Sequence, residues 1–168
     1  MNIEIISSDL TKFQRDLGRA VERIPRLLLR TMVETDLLLQ RETIARTPVG
    51  VGGGGGLRGS YATRERLVSG SVVLGEVGSP LAHAPVIELG RGPGPISKAG
   101  MQSLREWVRQ KLDVADKDLP SVTYLVARKI RRRGFKGKGM FKQALAANIA
   151  QIRSIWDRAG SRLIDFRS

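Results

Sequence analysis

The chain has 168 residues, of which 41% are hydrophobic and 27% are charged, and this composition favours a folded domain over wholesale disorder. It contains no cysteine, which excludes disulfides, thiolate metal sites and cysteine nucleophiles. Its formal net charge of +13 makes nucleic acid or an acidic protein the first partner to consider. No run approaches the roughly 20 apolar residues of a membrane helix, and the N-terminus does not resemble a signal peptide, so we expect a soluble, intracellular chain without a membrane partner.

The first 46 residues predict a short strand and two helices. Ile3, Ile5 and Ile6 alternate loosely with polar residues, as in a strand. A helix then follows with an apolar face at spacings of three and four, formed by Leu10, Phe13, Leu17, Val21 and Ile24. Pro25 is expected to interrupt this helix and to start a second one that ends near Arg46. The broad apolar face of the second helix indicates cover on more than one side, by a sheet or by a neighbouring subunit.

A glycine-rich segment, TPVGVGGGGGLRGSY, occupies residues 47–61. Gly50, Gly52 and Gly55 satisfy a nominal G-x-G-x-x-G pattern, but a helix precedes the run and a strand follows it, which reverses the order that a dinucleotide site requires. No Gly-Lys-Ser/Thr closes a phosphate loop either. We therefore interpret the run as a hinge that is mobile in the free subunit, and we expect no cofactor; its residues are Gly52, Gly53, Gly54, Gly55 and Gly56.

The remaining elements follow one another without an internal repeat or a domain-sized linker, so we expect one domain over residues 1–168. Valines punctuated by glycines predict strands between residues 61 and 78, and HAPVIELG fits either a strand or one helical turn. A helix capped by Ser97 carries Met101, Leu104, Val108 and Leu112 on one stripe. A second helix has Pro120 near its start and Gly134 just past its end. The last helix has the longest apolar stripe: Phe141, Leu145, Ile149, Ile152, Trp156, Ala159 and Leu163.

His83 is the only histidine in the chain. A Ser-His-acid arrangement could be drawn with Ser79 and Glu88, but the sequence contains neither a nucleophile elbow nor metal-ligand spacing around the histidine. A partly buried or interface histidine is the favoured interpretation. We therefore predict no catalytic residue, no metal site, no small-molecule substrate and no enzymatic activity.

A dense basic cluster lies between residues 128 and 142, where no acidic residue occurs. One interpretation is a patch that contacts phosphates, with Phe135 nearby. The other is structural, because cations suit the last turn of a helix and Gly134 suits the position that ends it. Phe141 falls on the stripe of the last helix and is expected in the core. A patch for DNA or an acidic partner would comprise Arg128, Lys129, Arg131, Arg132, Arg133, Lys136 and Lys138.

Three separated segments together resemble the tail-completion and head–tail joining (neck) family of tailed bacteriophages, the minor tail protein Z-like proteins. A family helix ends in a Pro-Val-x-Thr-Gly-x-Leu-Arg-x-Ser-like element, which residues 47–60 match with the glycine run as an expansion. A Tyr-Ala-x-x-Val-Glu-Phe-Gly-Thr-like element corresponds to residues 83–91, with His83 for tyrosine and Arg91 for threonine. Met140 and Phe141 fall where the family's last helix begins. The residues expected in these motifs or at subunit contacts are Thr47, Pro48, Leu57, Arg58, Ser60, Tyr61, His83, Glu88 and Gly90.

The resemblance implies an α+β fold, with a small curled antiparallel sheet packed against a long N-terminal helix and further helices in the C-terminal half. Residues 97–133 would be a variable helical insertion. It also implies a virion structural protein that forms a ring, commonly a hexamer, and contacts tail-tube, terminator or head-connector proteins while DNA passes through. The location would be the virion, and the host cytoplasm during assembly. The alternative is a basic protein that binds DNA without sequence specificity through residues 128–142.

Overall fold

The computed structural model describes residues 7–50 and 56–164 of the chain, which form an α+β fold. The predicted strand at residues 3–6 and the hinge glycines 52–55 lie outside the described residues. Along the described residues the elements are α1 (Ser7–Arg46), α2 (Gly56–Gly59), β1 (Ala62–Ser69), β2 (Val72–Gly78), α3 (Ala84–Leu89), β3 (Gly90–Arg91), α4 (Lys98–Lys111), α5 (Leu119–Arg133), β4 (Phe135–Lys136) and α6 (Met140–Ile164).

The N-terminal half of the chain corrects one prediction, because Pro25 lies inside a single helix of 40 residues and does not separate two helices. Proline removes one hydrogen bond of the helical ladder and crowds the carbonyl four residues earlier. The ladder on either side of Pro25 is intact, and the many turns of α1 are sufficient to carry the helix through this local defect.

The buried face of α1 is unexpectedly polar. Thr31, Thr35, Asp36 and Thr43 are buried together with Leu38, whereas Leu37 is half exposed. Threonine tolerates burial in a helix because its hydroxyl can bond the carbonyl four residues earlier. Such bonds run from Thr31 Oγ1 to the Leu27 carbonyl (2.8 Å) and from Thr35 Oγ1 to the Thr31 carbonyl (2.9 Å). The predicted apolar face near the N-terminus is largely exposed instead, at Leu10, Phe13, Leu17 and Val21.

Two compact units account for the described residues. The first comprises residues 7–41, 63–77 and 145–164, and the second comprises residues 42–50, 56–62 and 78–144. The prediction of one domain stays a prediction. In the first unit β1 and β2 pair as a hairpin across a two-residue turn, as the glycine-punctuated valines predicted. In the second unit β3 and β4 pair antiparallel, and α4 packs on α5 with Val108 and Leu119 fully buried.

The helices of the C-terminal half confirm most of the predicted boundaries. Ser97 caps α4 by accepting a hydrogen bond from the Gly100 amide (3.1 Å), and Pro120 occupies the first turn of α5. Gly134 ends α5 with φ 63°, a backbone conformation that favours glycine. The stripe of α6 is only partly buried, since Leu145 and Ile149 are exposed. No helix among the described residues is both long and apolar enough to span a membrane.

A buried carboxyl pair lies where the hairpin packs on α1 in the first unit. Asp36 of α1 is buried, and neither its Oδ2 atom nor Oε1 of Glu65 in β1 has a hydrogen-bond partner. Opposite them, Gly75 of β2 leaves room for the pair, because a β-carbon there would clash with the Asp36 carboxylate and the Met32 side chain. Burial, reinforced by the charge of Glu65 and by a hydrogen bond between the two side chains, raises the pKa of Asp36 from 3.8 to about 6.

We expect Asp36→Asn to stabilise the protein above pH 6. Because the pKa of Asp36 is raised by folding, the stability that depends on its protonated form is fully present below pH 3.8 and is lost as the pH rises through about 6. A shift of this size corresponds to about 3 kcal/mol at most, so the amide should raise the free energy of unfolding by about 1–3 kcal/mol at pH 8. Urea denaturation at pH 5 and pH 8 measures the difference. The exposed Asp157→Asn is the matched control, and an equal effect of Asp36→Asn at both pH values would contradict the assignment.

Candidate functional site

The three motif segments meet in the core of the second unit. Leu57, Tyr61 and Met140 form a buried apolar cluster, and the rings of Tyr61 and Phe141 lie 6.2 Å apart at 60°. Phe141 therefore belongs to the core, as predicted. Partly buried side chains complete the cluster. They come from the end of α1, the loop before α3, α3 itself and the start of α6: Ile44, Leu81, Ala84, Ile87 and Phe141.

Arg58 closes the C-terminal end of α1. Its Nε donates to the carbonyls of Thr47 (2.8 Å) and Ile44 (3.2 Å), and its Nη2 donates to the Ala45 carbonyl (3.4 Å). The last carbonyls of a helix have no partner within the helix, and the helix dipole places negative partial charge there. A guanidinium from another segment satisfies both requirements. Arg58 thus fixes the segment after the glycine run against the helix that precedes it.

Glu88 closes the N-terminal end of α6 in the complementary way. Its Oε2 accepts from the Phe141 amide (3.1 Å) and its Oε1 accepts from the Lys142 amide (3.2 Å). Residue Gly139, which precedes α6, has no side chain that could cap the first turn, although its carbonyl accepts the first helical bond from Gln143 (2.8 Å). A carboxylate is the group that the positive end of the helix dipole favours. Glu88, from a distant part of the same chain, therefore supplies the cap that Gly139 lacks.

Hydroxyl groups connect the first motif to its surroundings. Thr47 Oγ1 donates to the Thr43 carbonyl (2.7 Å) and lies 3.3 Å from the Tyr61 hydroxyl. Ser60 Oγ donates to the Leu57 carbonyl (2.8 Å) and lies 2.7 Å from Ser79 Oγ. Since the Ser60 proton is used on Leu57, Ser79 is the donor to Ser60. These bonds join the end of α1, α2 and the loop before α3.

The second motif is held by close backbone contact between β3 and β4. Gly90 pairs with Lys136, while the amides of Lys138 and Gly139 donate to the carbonyls of Ile87 (2.8 Å) and Glu88 (3.0 Å). Gly90 has φ 83°, and a β-carbon there would clash with the backbone of Phe135 and Gly137. HAPVIELG thus forms the helix α3, one of its two predicted alternatives, and the glycine after it is required by this backbone packing.

No catalytic geometry surrounds His83. It is exposed rather than partly buried, and it begins α3 without a side-chain cap. Ser79 bonds Ser60 and Glu88 bonds the amides of α6, so neither is oriented by the histidine. Within the described ranges 7–50 and 56–164, no group of three or more metal-ligating side chains could hold a metal ion. Of the motif residues, Pro48 and His83 are exposed and available to a neighbour.

The predicted basic cluster divides between separate grooves. Arg128, Lys129, Arg132 and Arg133 line a groove of about 270 Å³ on α5 together with the exposed Leu125. Arg131 borders another groove next to Met101 and Tyr124, which it shares with Arg128. Three lysines instead border a cleft of about 310 Å³ with the motif residues Glu88 and Leu89: Lys136, Lys138 and Lys142. Leu89 falls within the second motif, but its exposure of 80% was not predicted, because it ends the apolar pattern of VIEL.

Comparison with known proteins assigns no family, since no family model, no curated protein and no solved structure matches the chain. The resemblance of the motifs therefore rests on their residues and their order. The structure adds that the three motif segments share one apolar cluster and that two of their residues, Arg58 and Glu88, cap helix ends. No local signal in the sequence pairs Glu88 with α6, because the amides that it caps lie 53 and 54 residues later.

We expect substitution of Glu88 to destabilise the second unit. Glu88→Gln keeps one acceptor oxygen but loses the charge, and should lower the free energy of unfolding by about 1 kcal/mol. Glu88→Ala leaves both amides without their partner and should lower it by about 2 kcal/mol. Urea denaturation followed by circular dichroism measures both. Glu106→Gln, on the exposed face of α4, is the control and should change stability by less than about 0.5 kcal/mol. A Glu88→Ala protein as stable as this control would contradict the capping role.

Proposed function

We propose that the chain is a structural subunit of a tailed-phage or prophage virion, which forms a ring that completes the tail or joins it to the head. The observation that carries the proposal is the convergence of the three motif segments. Residues 47–61, 83–91 and 140–141 are far apart in sequence, yet they contribute Leu57, Ile87 and Met140 to one apolar cluster. Motif residues that belong to one structural element are expected to meet in this way, whereas chance matches are not.

The polar groups of the motifs support a structural role. Arg58 bonds carbonyls at the end of α1 and Glu88 bonds amides at the start of α6, so both charges are used on backbone groups. These bonds order the segments around the glycine run and around β3. A protein that works by presenting fixed surfaces to its neighbours requires this kind of rigidity.

Exposed apolar side chains in the first unit support association with further copies. Along α1, Leu10, Phe13, Leu17 and Val21 are between 46% and 62% exposed. The hairpin exposes apolar side chains as well, at Leu67, Val68, Val72 and Leu74. Single exposed apolar residues are ordinary on a protein surface, but repeated ones along an element are typical of a contact surface. In a ring each subunit would cover such a surface on the next.

Electron microscopy of the purified, nuclease-treated protein tests the proposal. We expect rings with a central hole wide enough for duplex DNA, either from the protein alone or after addition of purified tails. In the phage or prophage that encodes the chain, its deletion should leave heads and tails unjoined. A protein that forms no rings under either condition, and whose deletion leaves heads and tails joined, would overturn the proposal.

A basic DNA-binding protein is the second candidate, favoured by the four basic side chains that line the groove on α5. Ring formation and DNA affinity distinguish it from the ring proposal. A DNA-binding protein would stay free of rings and bind duplex DNA of any sequence with an affinity that falls steeply with salt. Leu125 in the same groove has no counterpart in the phosphate backbone, which is why we rank this candidate second.

A further inference from the structure

An acidic loop connects α4 to α5. Residues 112–118 carry the exposed carboxylates of Asp113, Asp116 and Asp118 against Lys117, although the whole chain has a formal charge of +13. Arg109 and Lys111, in the last turn of α4, precede the loop. Asp116 bonds Arg109 at 3.0 Å and remains 84% exposed, so most of its carboxylate faces solvent. Leu112, at the start of the loop, is 45% exposed. The loop thus presents negative charge next to an apolar side chain.

A lysine cleft has the opposite character. It is the cleft of about 310 Å³ bordered by Lys136, Lys138, Lys142 and the 80% exposed Leu89. Glu88 also borders it, but its carboxylate is held by the two amides at the start of α6. The backbone pairing of Gly90 with Lys136 fixes Leu89 beside the lysines. The cleft therefore presents positive charge next to an apolar side chain.

The acidic loop and the lysine cleft of one chain lie at opposite ends of α5. The loop precedes Leu119 and the cleft follows Arg133, and the 15 residues between them span about 22 Å as a helix. Charges at that separation are screened from each other at physiological ionic strength, where the Debye length is about 8 Å. Neither feature can complement the other within one chain, but each can do so between two copies.

We propose that subunits associate head to tail, with the acidic loop of one copy seated in the lysine cleft of the next. This inference rests on the proposed ring function and names the contact that builds the ring. Because the two surfaces are different, the contact is heterologous and repeats from subunit to subunit, which generates a ring when the rotation closes. Leu89 and Leu112 supply the apolar part of the contact, and the opposite charges set its register.

An acidic protein surface fits the lysine cleft better than DNA does. Leu89 in the cleft is 80% exposed, and it can pack on an apolar residue but gains nothing from a phosphate backbone. The loop supplies both a carboxylate cluster and Leu112. Association that persists after nuclease treatment cannot be mediated by DNA in the cleft.

Charge reversal on each side of the contact tests the inference. The full-length, nuclease-treated protein is studied by sedimentation velocity with Asp116→Lys/Asp118→Lys, with Lys136→Glu/Lys138→Glu, and with all four substitutions together. Asp113 is left unchanged because its φ of 48° would strain a lysine. We expect each double variant to weaken association at least about tenfold, and the quadruple variant to regain it because the charges are again opposite. Association of the wild type should also weaken in about 1 M salt, where the Debye length is about 3 Å.

Two matched variants control for net charge. Lys129→Glu/Arg132→Glu matches the charge change of Lys136→Glu/Lys138→Glu but lies in the groove of α5. Glu106→Lys/Asp157→Lys matches the charge change of Asp116→Lys/Asp118→Lys but lies outside the acidic loop. Both controls should associate as the wild type does. Thermal unfolding by circular dichroism verifies that every variant is folded.

Loss of association in the double variants followed by recovery in the quadruple variant supports the contact. Rings that ignore all four substitutions, or that depend on Lys129 and Arg132 instead, overturn it and leave the proposed function intact. Charge-dependent open filaments would support the contact and contradict the ring.

Discussion

Two charged side chains close the C-terminal end of α1 and the N-terminal end of α6, and the arrangement of the motif segments depends on them. Arg58 bonds three carbonyls at or just beyond the end of α1, and Glu88 bonds two amides at the start of α6. Each charge has the sign that its helix end favours, and Glu88 also replaces a cap that Gly139 cannot provide. The segment after the glycine run and the segment before β3 are therefore held by helix ends that were formed elsewhere in the chain.

Helix ends marked by local residues were predictable, and ends or burial that depend on distant residues were not. Ser97 and Gly134 act within a few residues of themselves, so the boundaries of α4 and α5 followed from the sequence. The prediction that Pro25 interrupts the helix was wrong, because the loss of one hydrogen bond at this proline does not end α1. The burial of Asp36 depends on β1 and β2, and the role of Glu88 depends on two amides 53 and 54 residues later. Such pairings arise from packing, which residue spacing does not encode.

The same division applies to the candidate site. Arg58 and Glu88 were predicted as motif residues but not as helix caps. Residues 128–142 were predicted as one basic patch, whereas the structure divides them between grooves on α5 and the lysine cleft. The division matters for function, because only the lysine cleft combines its charge with Leu89 of the second motif. The motif thus has an inward side that supports the fold and an outward side that is available to a partner.

Hydrogen exchange at two backbone amides tests the central role of the capping charges most directly. The amides of Phe141 and Lys142 lie in the first turn of α6, where amides normally exchange rapidly because no helical carbonyl accepts from them. Measured by NMR on the wild type and on Glu88→Ala, both amides should be protected in the wild type and exchange at least about tenfold faster in the variant, while amides deeper in α6 change little. Equal exchange of Phe141 and Lys142 in the two proteins would contradict the claim that Glu88 fixes the start of this helix.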